Sequence, residues 1–306
     1  MNTTELNQAG GFYFDTYNTI MADCGDAALR GAMALCERYE RLLSKTVEGS
    51  DVWRINHAGG APTEVDEETA RILRLALEMR ERSRGAFNIA VGELVGLWRV
   101  TAPDARVPPA EDLRAGAERI GRGSMALEGR TFCLSEGLSI DLGGIAKGYI
   151  TDRVADHLRA GGVCSALLNF GGNVVTVGRR PDGAPWRLGL QTPGGRWGQD
   201  YWAVLECCDR SLVTSGIYER GFEERGVRYH HILDPRSGWP VRNGLVSVSV
   251  LCADSMLADA LSTAMFVLGP AEGASLAARC GAEYVFLTDQ KQAICSPGLP
   301  ITVPRE

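Results

Sequence analysis

The chain has few histidines, few aromatic residues and no long apolar segment. Only four of its 306 residues are histidine and 7% are aromatic. Nowhere does it contain the run of about 18 apolar residues that a membrane-spanning helix needs. The sequence therefore predicts no transmembrane segment. Histidine is so scarce that the adjacent pair His230 and His231 is an early candidate for chemistry.

Neither sign of charge is gathered into a block. The formal net charge is -6 and the sequence pI is about 5.4, with acidic and basic residues interspersed. Such a chain lacks the basic surface that binds nucleic acid or anionic lipid, so neither is an expected partner. The nine cysteines are odd in number and form no C-x-x-C pair. We therefore expect reduced thiols, without a disulfide framework or a zinc site.

The first residues, MNTTELNQAGGFYF, have neither the basic segment nor the apolar core of a secretory signal. We therefore expect a cytoplasmic protein. The alternative is an exported or lipid-anchored protein from which a signal has been removed.

Hydrophobic periodicity predicts an α+β fold. Helical spacing over residues 26–45 is followed by a second helix that begins after Asp66 and stops at Gly85. Further helices are predicted at 145–160 and 256–268. Segments rich in β-branched residues predict strands joined by short Gly-containing turns, which favours antiparallel pairing. These segments are FYFDTYNTI (12–20), LSIDL (138–142), CSALLNF, NVVTVG, VSVSVL and EYVFLT.

A proline-rich stretch, TAPDARVPPAED at residues 101–112, interrupts this pattern. Its composition is typical of a loop. A chain of this length can form two lobes with a cleft between them, and we predict the lobe boundary in this loop. A surface excursion is the alternative for the same residues.

The segment IDLGGIAKGYITD combines two glycines with a charged helix start. Asp141 precedes Gly143 and Gly144, and Lys147 falls in the first turn of the predicted helix. Glycines let a backbone approach a ligand, and a helix N-terminus attracts phosphate. The stretch contains neither G-x-x-x-x-G-K-[ST] nor G-x-G-x-x-G. A Gly-Gly pair with a purely structural role is an equal alternative.

The segment ADALSTAMFVLG places two oxygen-bearing side chains four residues apart on an otherwise apolar helix. Asp259 and Thr263 share one face of that helix. Hard oxygen ligands at this spacing suit Mg²⁺. In the alternative interpretation Asp259 accepts a structural hydrogen bond and Thr263 bonds back to its own helix.

Two further polar segments follow strands. Thr214 and Ser215 form a polar strand end that either closes a turn or lines a ligand site. In YHHILDPRSGWP, His230 and His231 point to opposite faces of an extended segment that a turn at Asp234 ends. One histidine can therefore face a cleft, where it is able to take a proton from a hydroxyl. A histidine with no chemical role is the alternative.

Taken together, these segments resemble the ApbE family, the FAD:protein FMN transferases. The resemblance covers roughly residues 12 to 290. It rests on these sequences in this order: GSDVWRIN, SRGAFNIAVGELVGLW, DLGGIAKGY, NFGGN, TSGIYER, HILDPRSGWPV and ADALSTAMFVLG.

The resemblance implies one catalytic unit over residues 1–306. It would have two lobes of mainly antiparallel sheets flanked by helices, a T-fold-like architecture, with an FAD cleft between the lobes. It further implies a Mg²⁺-dependent enzyme that cuts the pyrophosphate of FAD. FMN would pass through a phosphoester bond to a threonine hydroxyl, and AMP would leave. The acceptor would be a flavoprotein with a motif ending in Ser/Thr-Gly-Ala-Thr.

The resemblance also implies roles for particular residues. His231 matches the histidine of the family's H-I-x-D-P element, and we predict that it deprotonates the incoming threonine, whereas His230 is incidental. The matching Mg²⁺ ligands are the side chains of Asp259 and Thr263 and the main-chain carbonyl of Gly144. The predicted FAD contacts are Phe14, Asn56, Ala86, Phe87, Asn88, Asp141, Lys147, Thr214, Ser215 and Ile232.

The chain differs from the family pattern at three places. Phe14-Asp15-Thr16 stands where the family often has Met-Gly-Thr, and Asn88 and Asn173 stand where Asp is common. Two other activities stay open beside the transferase. One is an FAD pyrophosphatase that releases free FMN and AMP, and the other is an FAD-binding protein without turnover.

Overall fold

The computed structural model describes residues 5–303 apart from Trp197 and Pro300. Its helices are α1 (Asp26–Leu43), α2 (Asp51–His57), α3 (Glu67–Arg82), α4 (Gly92–Trp98), α5 (Ala110–Arg122), α6 (Ala146–Ala160), α7 (Ser255–Leu268) and α8 (Pro270–Arg279).

In the described residues, sixteen strands accompany these helices. They are β1 (Asn7–Tyr13), β2 (Thr16–Ala22), β3 (Thr63–Glu64), β4 (Met125–Glu128), β5 (Thr131–Leu134), β6 (Ser165–Phe170), β7 (Asn173–Gly178), β8 (Trp186–Gln191), β9 (Tyr201–Cys207), β10 (Ser211–Gly216), β11 (Gly221–Glu224), β12 (Val227–His230), β13 (Leu245–Cys252), β14 (Glu283–Thr288), β15 (Ala293–Cys295) and β16 (Ile301–Thr302).

An eight-stranded antiparallel sheet organises the fold, with the order β1-β2-β6-β7-β10-β13-β14-β15. Its strands alternate between two apolar layers, as the two-residue repeat of a strand requires. Val248 and Val250 of β13 belong to the large core that includes the helices, whereas Leu251 belongs to a smaller core under the β16-β9-β8 sheet. The predicted α+β class with mainly antiparallel sheets is confirmed.

The predicted helices are confirmed, with small shifts at their ends. The five apolar positions that helical spacing selects in α1 are all buried: Leu29, Ala32, Cys36, Tyr39 and Leu43. Asp66 caps α3 by accepting a hydrogen bond from the Glu68 amide at 2.9 Å. Within the described residues, no helix is both long and apolar enough to span a membrane.

Two strand predictions are wrong. Residues 12–20 form parts of two strands, β1 and β2, joined by a tight turn in which Phe14 and Asp15 both have φ 57°. Neither residue is glycine, so the sequence carried no turn signal there. The segment 138–142 pairs at only one bridge, Val91 with Ser139, because the Asn56 side chain takes the main-chain groups of Ile140.

The proline-rich loop is shorter than predicted, since α5 begins at Ala110. The loop is attached to the body of the protein where the Val107 amide donates to the Glu224 carboxylate at 2.7 Å. The division into two lobes at this loop stays a prediction.

Candidate active site

The glycine-led turn between residues 140 and 146 is held from both sides. The Asn56 amide donates to the Ile140 carbonyl at 3.0 Å and accepts from the Ile140 amide at 2.7 Å. The next residue, Asp141, accepts the Gly143 amide at 2.7 Å and pairs with the Lys45 ammonium at 2.6 Å. These bonds fix the path of the turn before α6 begins.

The first turn of α6 contacts Asp259 on α7. The Gly148 amide donates to Oδ2 of Asp259 at 3.0 Å, and the Lys147 ammonium lies 3.7 Å from the same oxygen. A Cβ atom on Gly148 would lie 2.2 Å from the Ser255 carbonyl oxygen. Glycine is therefore required where these two helices cross, and the close crossing brings the α6 N-terminus onto a buried carboxylate.

Thr263, one helical turn after Asp259, faces the glycine-led turn. A Cβ atom on Gly144 would lie 3.2 Å from Oγ1 of Thr263 and 3.4 Å from the Phe87 ring. Phe87 is 3% exposed and forms the floor beneath the turn. The three predicted metal-ligand residues thus belong to one local arrangement, in which α7 packs against the turn that carries Gly144.

A row of hydroxyl groups continues from Thr263 along the sheet. Ser215 Oγ lies 3.5 Å from Thr263 Oγ1 and 2.8 Å from Ser262 Oγ. On the opposite face of β10, Thr214 Oγ1 lies 2.8 Å from Ser249 Oγ. Ser215 therefore points toward the predicted metal residues, whereas Thr214 bonds across the sheet to β13.

His231 is half-buried and has one ring nitrogen engaged. Its Nδ1 lies 3.3 Å from the Arg220 carbonyl, which can only accept, so Nδ1 carries the proton and Nε2 has the free lone pair. Burial lowers the pKa of His231 to about 4, and the Arg220 charge adds to this effect. The imidazole is therefore neutral at neutral pH and can accept a proton at Nε2.

His230 is placed differently. It is 5% exposed, and its Nε2 lies 2.9 Å from the Val241 carbonyl. Burial lowers its pKa as well. These contacts give His230 a structural environment in the core and leave His231 as the half-buried histidine of the pair.

The tips of two hairpins lie beside the segment that leads to His231. The Arg220 guanidinium donates to the Asp15 carbonyl at 3.4 Å, next to Phe14 in the β1–β2 turn. A Cβ atom on Gly171, in the β6–β7 turn, would lie 2.6 Å from the Thr16 side chain. Arg220 therefore links Asp15, in the β1–β2 turn, with His231.

The structure does not bring all predicted residues to one surface. It groups Gly144, Asp259, Thr263, Lys147 and Ser215 directly. Four predicted FAD contacts are instead buried in the protein, because their side chains support the turn or the core: Ala86, Phe87, Asn88 and Ile232. The Asn88 side chain accepts the Ala90 amide at 3.0 Å, and the Asn56 amide is occupied by Ile140.

Sequence reasoning missed three charged residues around this arrangement. Lys45 pairs with Asp141 across 96 positions, and Asp152 bonds to the start of α7. Glu219 precedes Arg220 and lies close to Lys147; burial raises the pKa of its carboxyl group, an effect that Lys147 and Arg220 oppose. Lys45 and Asp152 could not be predicted from local patterns, because each contacts residues that are distant in sequence.

The donor set fits a hard divalent cation. Among the described residues no three His, Cys, Asp or Glu side chains come close enough to hold a metal ion. The structure instead groups three residues that carry oxygen atoms: Asp259 with a carboxylate, Thr263 with a hydroxyl and Gly144 with its main chain. Mg²⁺ is commonly bound through one or two carboxylates, with water and substrate phosphate completing its shell.

The fold and this arrangement define an antiparallel α+β protein with an oxygen-rich site at the crossing of two helices, where the charge of Lys147 adds to burial in lowering the pKa of the neutral His231. The family model described as "ApbE family" matches residues 14–286. The chain belongs to the ApbE family.

Several named relatives support this assignment. The chain is 41% identical over 267 residues to an FAD:protein FMN transferase of Klebsiella pneumoniae. The matched region covers 86% of this chain and 82% of the relative. The chain is 36% identical over 291 residues to an FAD:protein FMN transferase of Treponema pallidum, covering 89% and 80%.

Solved structures agree with the family assignment. The ApbE protein of Thermotoga maritima superposes with a TM-score of 0.86 at 30% identity, covering 96% of this chain and 97% of that one. The flavin transferase ApbE of Vibrio cholerae superposes with a TM-score of 0.83 at 28% identity, covering 95% and 98%.

Proposed function

We propose that this protein transfers FMN from FAD to a threonine hydroxyl of an acceptor flavoprotein and releases AMP. The observation that carries the proposal is the grouping of Asp259, Thr263 and Gly144 beside Lys147, in a chain that belongs to the ApbE family. The named relatives are FAD:protein FMN transferases, which supports this reaction over others that a diphosphate site could perform.

The proposed reaction is a single displacement at phosphorus. The threonine oxygen forms a bond to the phosphorus of the FMN half, and the bond from that phosphorus to the bridging oxygen breaks. AMP leaves with the electron pair. His231 accepts the threonine proton at Nε2, because Nδ1 is engaged by the Arg220 carbonyl. Positioning and charge stabilisation supply most of the rate in such transfers.

Asp259, Thr263 and the Gly144 carbonyl would hold Mg²⁺ in this proposal. When bound, the ion would neutralise charge on the diphosphate as the bridging bond breaks. Lys147 adds a fixed positive charge 3.7 Å from Asp259. Ser215 would orient Thr263 through the hydroxyl contact at 3.5 Å. The proposed acceptor carries a motif ending in Ser/Thr-Gly-Ala-Thr, and a cytoplasmic location remains our prediction.

The test is an intact-mass assay with FAD, Mg²⁺ and a domain that bears the acceptor motif. We expect the acceptor to gain the mass of one FMN group, and an acceptor with the motif threonine changed to valine to gain nothing. Free FMN and AMP are measured in parallel without acceptor. Release of free FMN with no adduct would assign the pyrophosphatase instead, and intact FAD throughout would assign a binding protein.

A further inference from the structure

Asp152 on α6 accepts two backbone hydrogen bonds from the start of α7. Its Oδ1 accepts the Ser255 amide at 3.1 Å, and its Oδ2 accepts the Met256 amide at 3.0 Å. Both amides belong to the first turn of α7, where backbone N–H groups have no partner within the helix. The contact spans 103 positions in the sequence and joins two helices through one side chain.

We propose that Asp152 is a positioning residue that sets the register of α7 against α6, so that Asp259 and Thr263 face the Gly144 carbonyl. This inference rests on the proposed function, because it assigns a purpose to the placement of the predicted cation ligands. Asp152 itself contacts neither ligand side chain in the described part of the chain.

The geometry of the helix pair supports this role. Gly148 and Asp152 are four residues apart and therefore share one face of α6. From that face Gly148 bonds to Asp259 while Asp152 bonds to Ser255 and Met256. Two contacts at different heights along α7 fix both its position and its rotation. A single contact at Asp259 would allow the helix to pivot.

The charges around Asp152 show that the contact is not a simple gain in stability. Burial raises the pKa of Asp152 to about 7, and the charge of Asp254 adds to this, whereas the two amide bonds and Arg153 oppose it. Asp254 lies in the loop before α7 and caps that helix, since its carboxylate accepts the Leu257 amide at 2.8 Å. Cys252, at the end of β13, also lies close enough to Asp152 for the charge of Asp152 to add to burial in raising the pKa of its thiol.

The direction of the pKa shift of Asp152 predicts how the stability of the protein depends on pH. The pKa of Asp152 in the folded protein lies above its ordinary value of 3.8. Protonation of Asp152 therefore stabilises the folded state, and this contribution is complete below pH 3.8. This contribution is lost as pH rises through about 7. At pH 8 the ionised carboxylate therefore costs stability relative to a neutral side chain. Asn has one acceptor oxygen for the two amides, so relief of the buried charge and loss of one amide bond oppose each other, and the melting temperature should change little.

The experiment compares Asp152→Asn with Asp156→Asn, a change of the same charge on an exposed turn of α6 that pairs with Arg153 and Arg159. Mn²⁺ affinity is measured by calorimetry on FAD-loaded protein at pH 8 without acceptor. Amide hydrogen exchange is followed at residues 255–258. In Asp152→Asn we expect Mn²⁺ affinity to fall about tenfold, as for other residues that orient metal ligands, and exchange at 255–258 to accelerate. Asp156→Asn should match the wild type in both.

The outcomes separate the inference from the proposed function. Wild-type Mn²⁺ affinity and exchange in Asp152→Asn would overturn the inference alone. A wild-type protein that binds FAD but no Mn²⁺ would contradict the proposed cation site and the inference with it. A large drop in melting temperature in Asp152→Asn at pH 8 would assign the residue a merely structural role.

A pH series on the wild type covers the case in which Asp152→Asn does not fold. Protonated Asp152 can accept fewer amide bonds than the carboxylate, so Mn²⁺ affinity should weaken between pH 8 and pH 6, around the pKa of about 7. In a folded Asp152→Asn protein this pH dependence should be much smaller. A wild-type affinity that stays constant from pH 8 down to pH 5, well below the pKa of Asp152, would overturn the inference.

Discussion

The two sides of the candidate site are built in different ways. On the helix side, formed by residues 140–152 and 254–263, main-chain amides bond to the carboxylates of Asp141, Asp152 and Asp259. On the hairpin side, formed by residues 13–16, 171–172 and 217–231, His231 has one contact at 3.3 Å. There Phe14 and Asp15 adopt left-handed backbone angles that non-glycine residues rarely take.

This difference matches the two tasks of a transfer reaction. A diphosphate and its cation need fixed oxygen ligands, because misplacement by one ångström greatly lowers the rate. An incoming acceptor must enter, react and leave, so its side of the site needs fewer internal bonds. Strained turns also concentrate at functional sites, which agrees with the position of Phe14 beside Arg220.

The largest expected effect is on the helix side. Asp259→Ala removes the only carboxylate among the proposed ligands, and we expect FMN transfer to slow about 1,000-fold, as when a main charge-stabilising group is lost. The measurement is the rate of adduct formation by intact mass. Asp289→Ala, a change of the same type in the turn after β14, is the control and should retain the wild-type rate. Wild-type turnover in Asp259→Ala would remove the cation assignment.

A smaller loss is expected on the hairpin side. His231→Ala should slow transfer roughly 100-fold through loss of the general base, while FAD affinity stays within about twofold of the wild type. Fluorescence titration of FAD checks the binding. In the matched change His230→Gln we expect retained transfer, because that residue bonds to Val241 in the core. If His231→Ala lost FAD binding, the residue would be structural.

Thr263→Val should have a more modest effect, about tenfold on the transfer rate, since it removes one neutral ligand and keeps the shape of the side chain. Thr263→Ser retains the hydroxyl and should recover most of that loss. Rates are compared at several Mg²⁺ concentrations, and higher Mg²⁺ should partly restore Thr263→Val. Equal rates for the Val variant and the wild type at every Mg²⁺ concentration would exclude the hydroxyl from the site.

The smallest expected effect is the dependence of the transfer rate on pH, which tests His231 on the hairpin side. With the pKa of His231 at about 4, its imidazole is neutral down to mildly acidic pH, whereas an ordinary histidine gains its proton near 6.5. At saturating Mg²⁺ and FAD we therefore expect the transfer rate to stay level from pH 8 to about 5.5. A rate that halves near pH 6.5 would contradict the neutral state of His231.

The helix side was the more predictable of the two from sequence. Helical spacing alone puts Asp259 and Thr263 on one face, and glycines next to Lys147 indicate a close approach to a ligand. The bond between Gly148 and Asp259 spans 111 positions, and no local pattern contains such a distance. The same holds for Lys45 with Asp141 and for Asp152 with α7.

The hairpin side was harder to predict because its turns break local rules. Phe14 and Asp15 form a tight turn without glycine, so alternation through residues 12–20 indicated one continuous strand where there are two. The family resemblance supplied His231, whereas local chemistry alone could not choose between the adjacent histidines. Burial and the Val241 contact distinguish them only in the folded chain.

The most direct test of the central claim is anomalous diffraction from crystals of the protein with FAD and Mn²⁺, an ion that shares the oxygen preference of Mg²⁺. We expect one strong Mn²⁺ peak within ligand distance of the Asp259 carboxylate, the Thr263 hydroxyl and the Gly144 carbonyl, with the FAD diphosphate beside it. A Mn²⁺ peak elsewhere, with FAD bound and these three groups without an ion, would contradict the central claim.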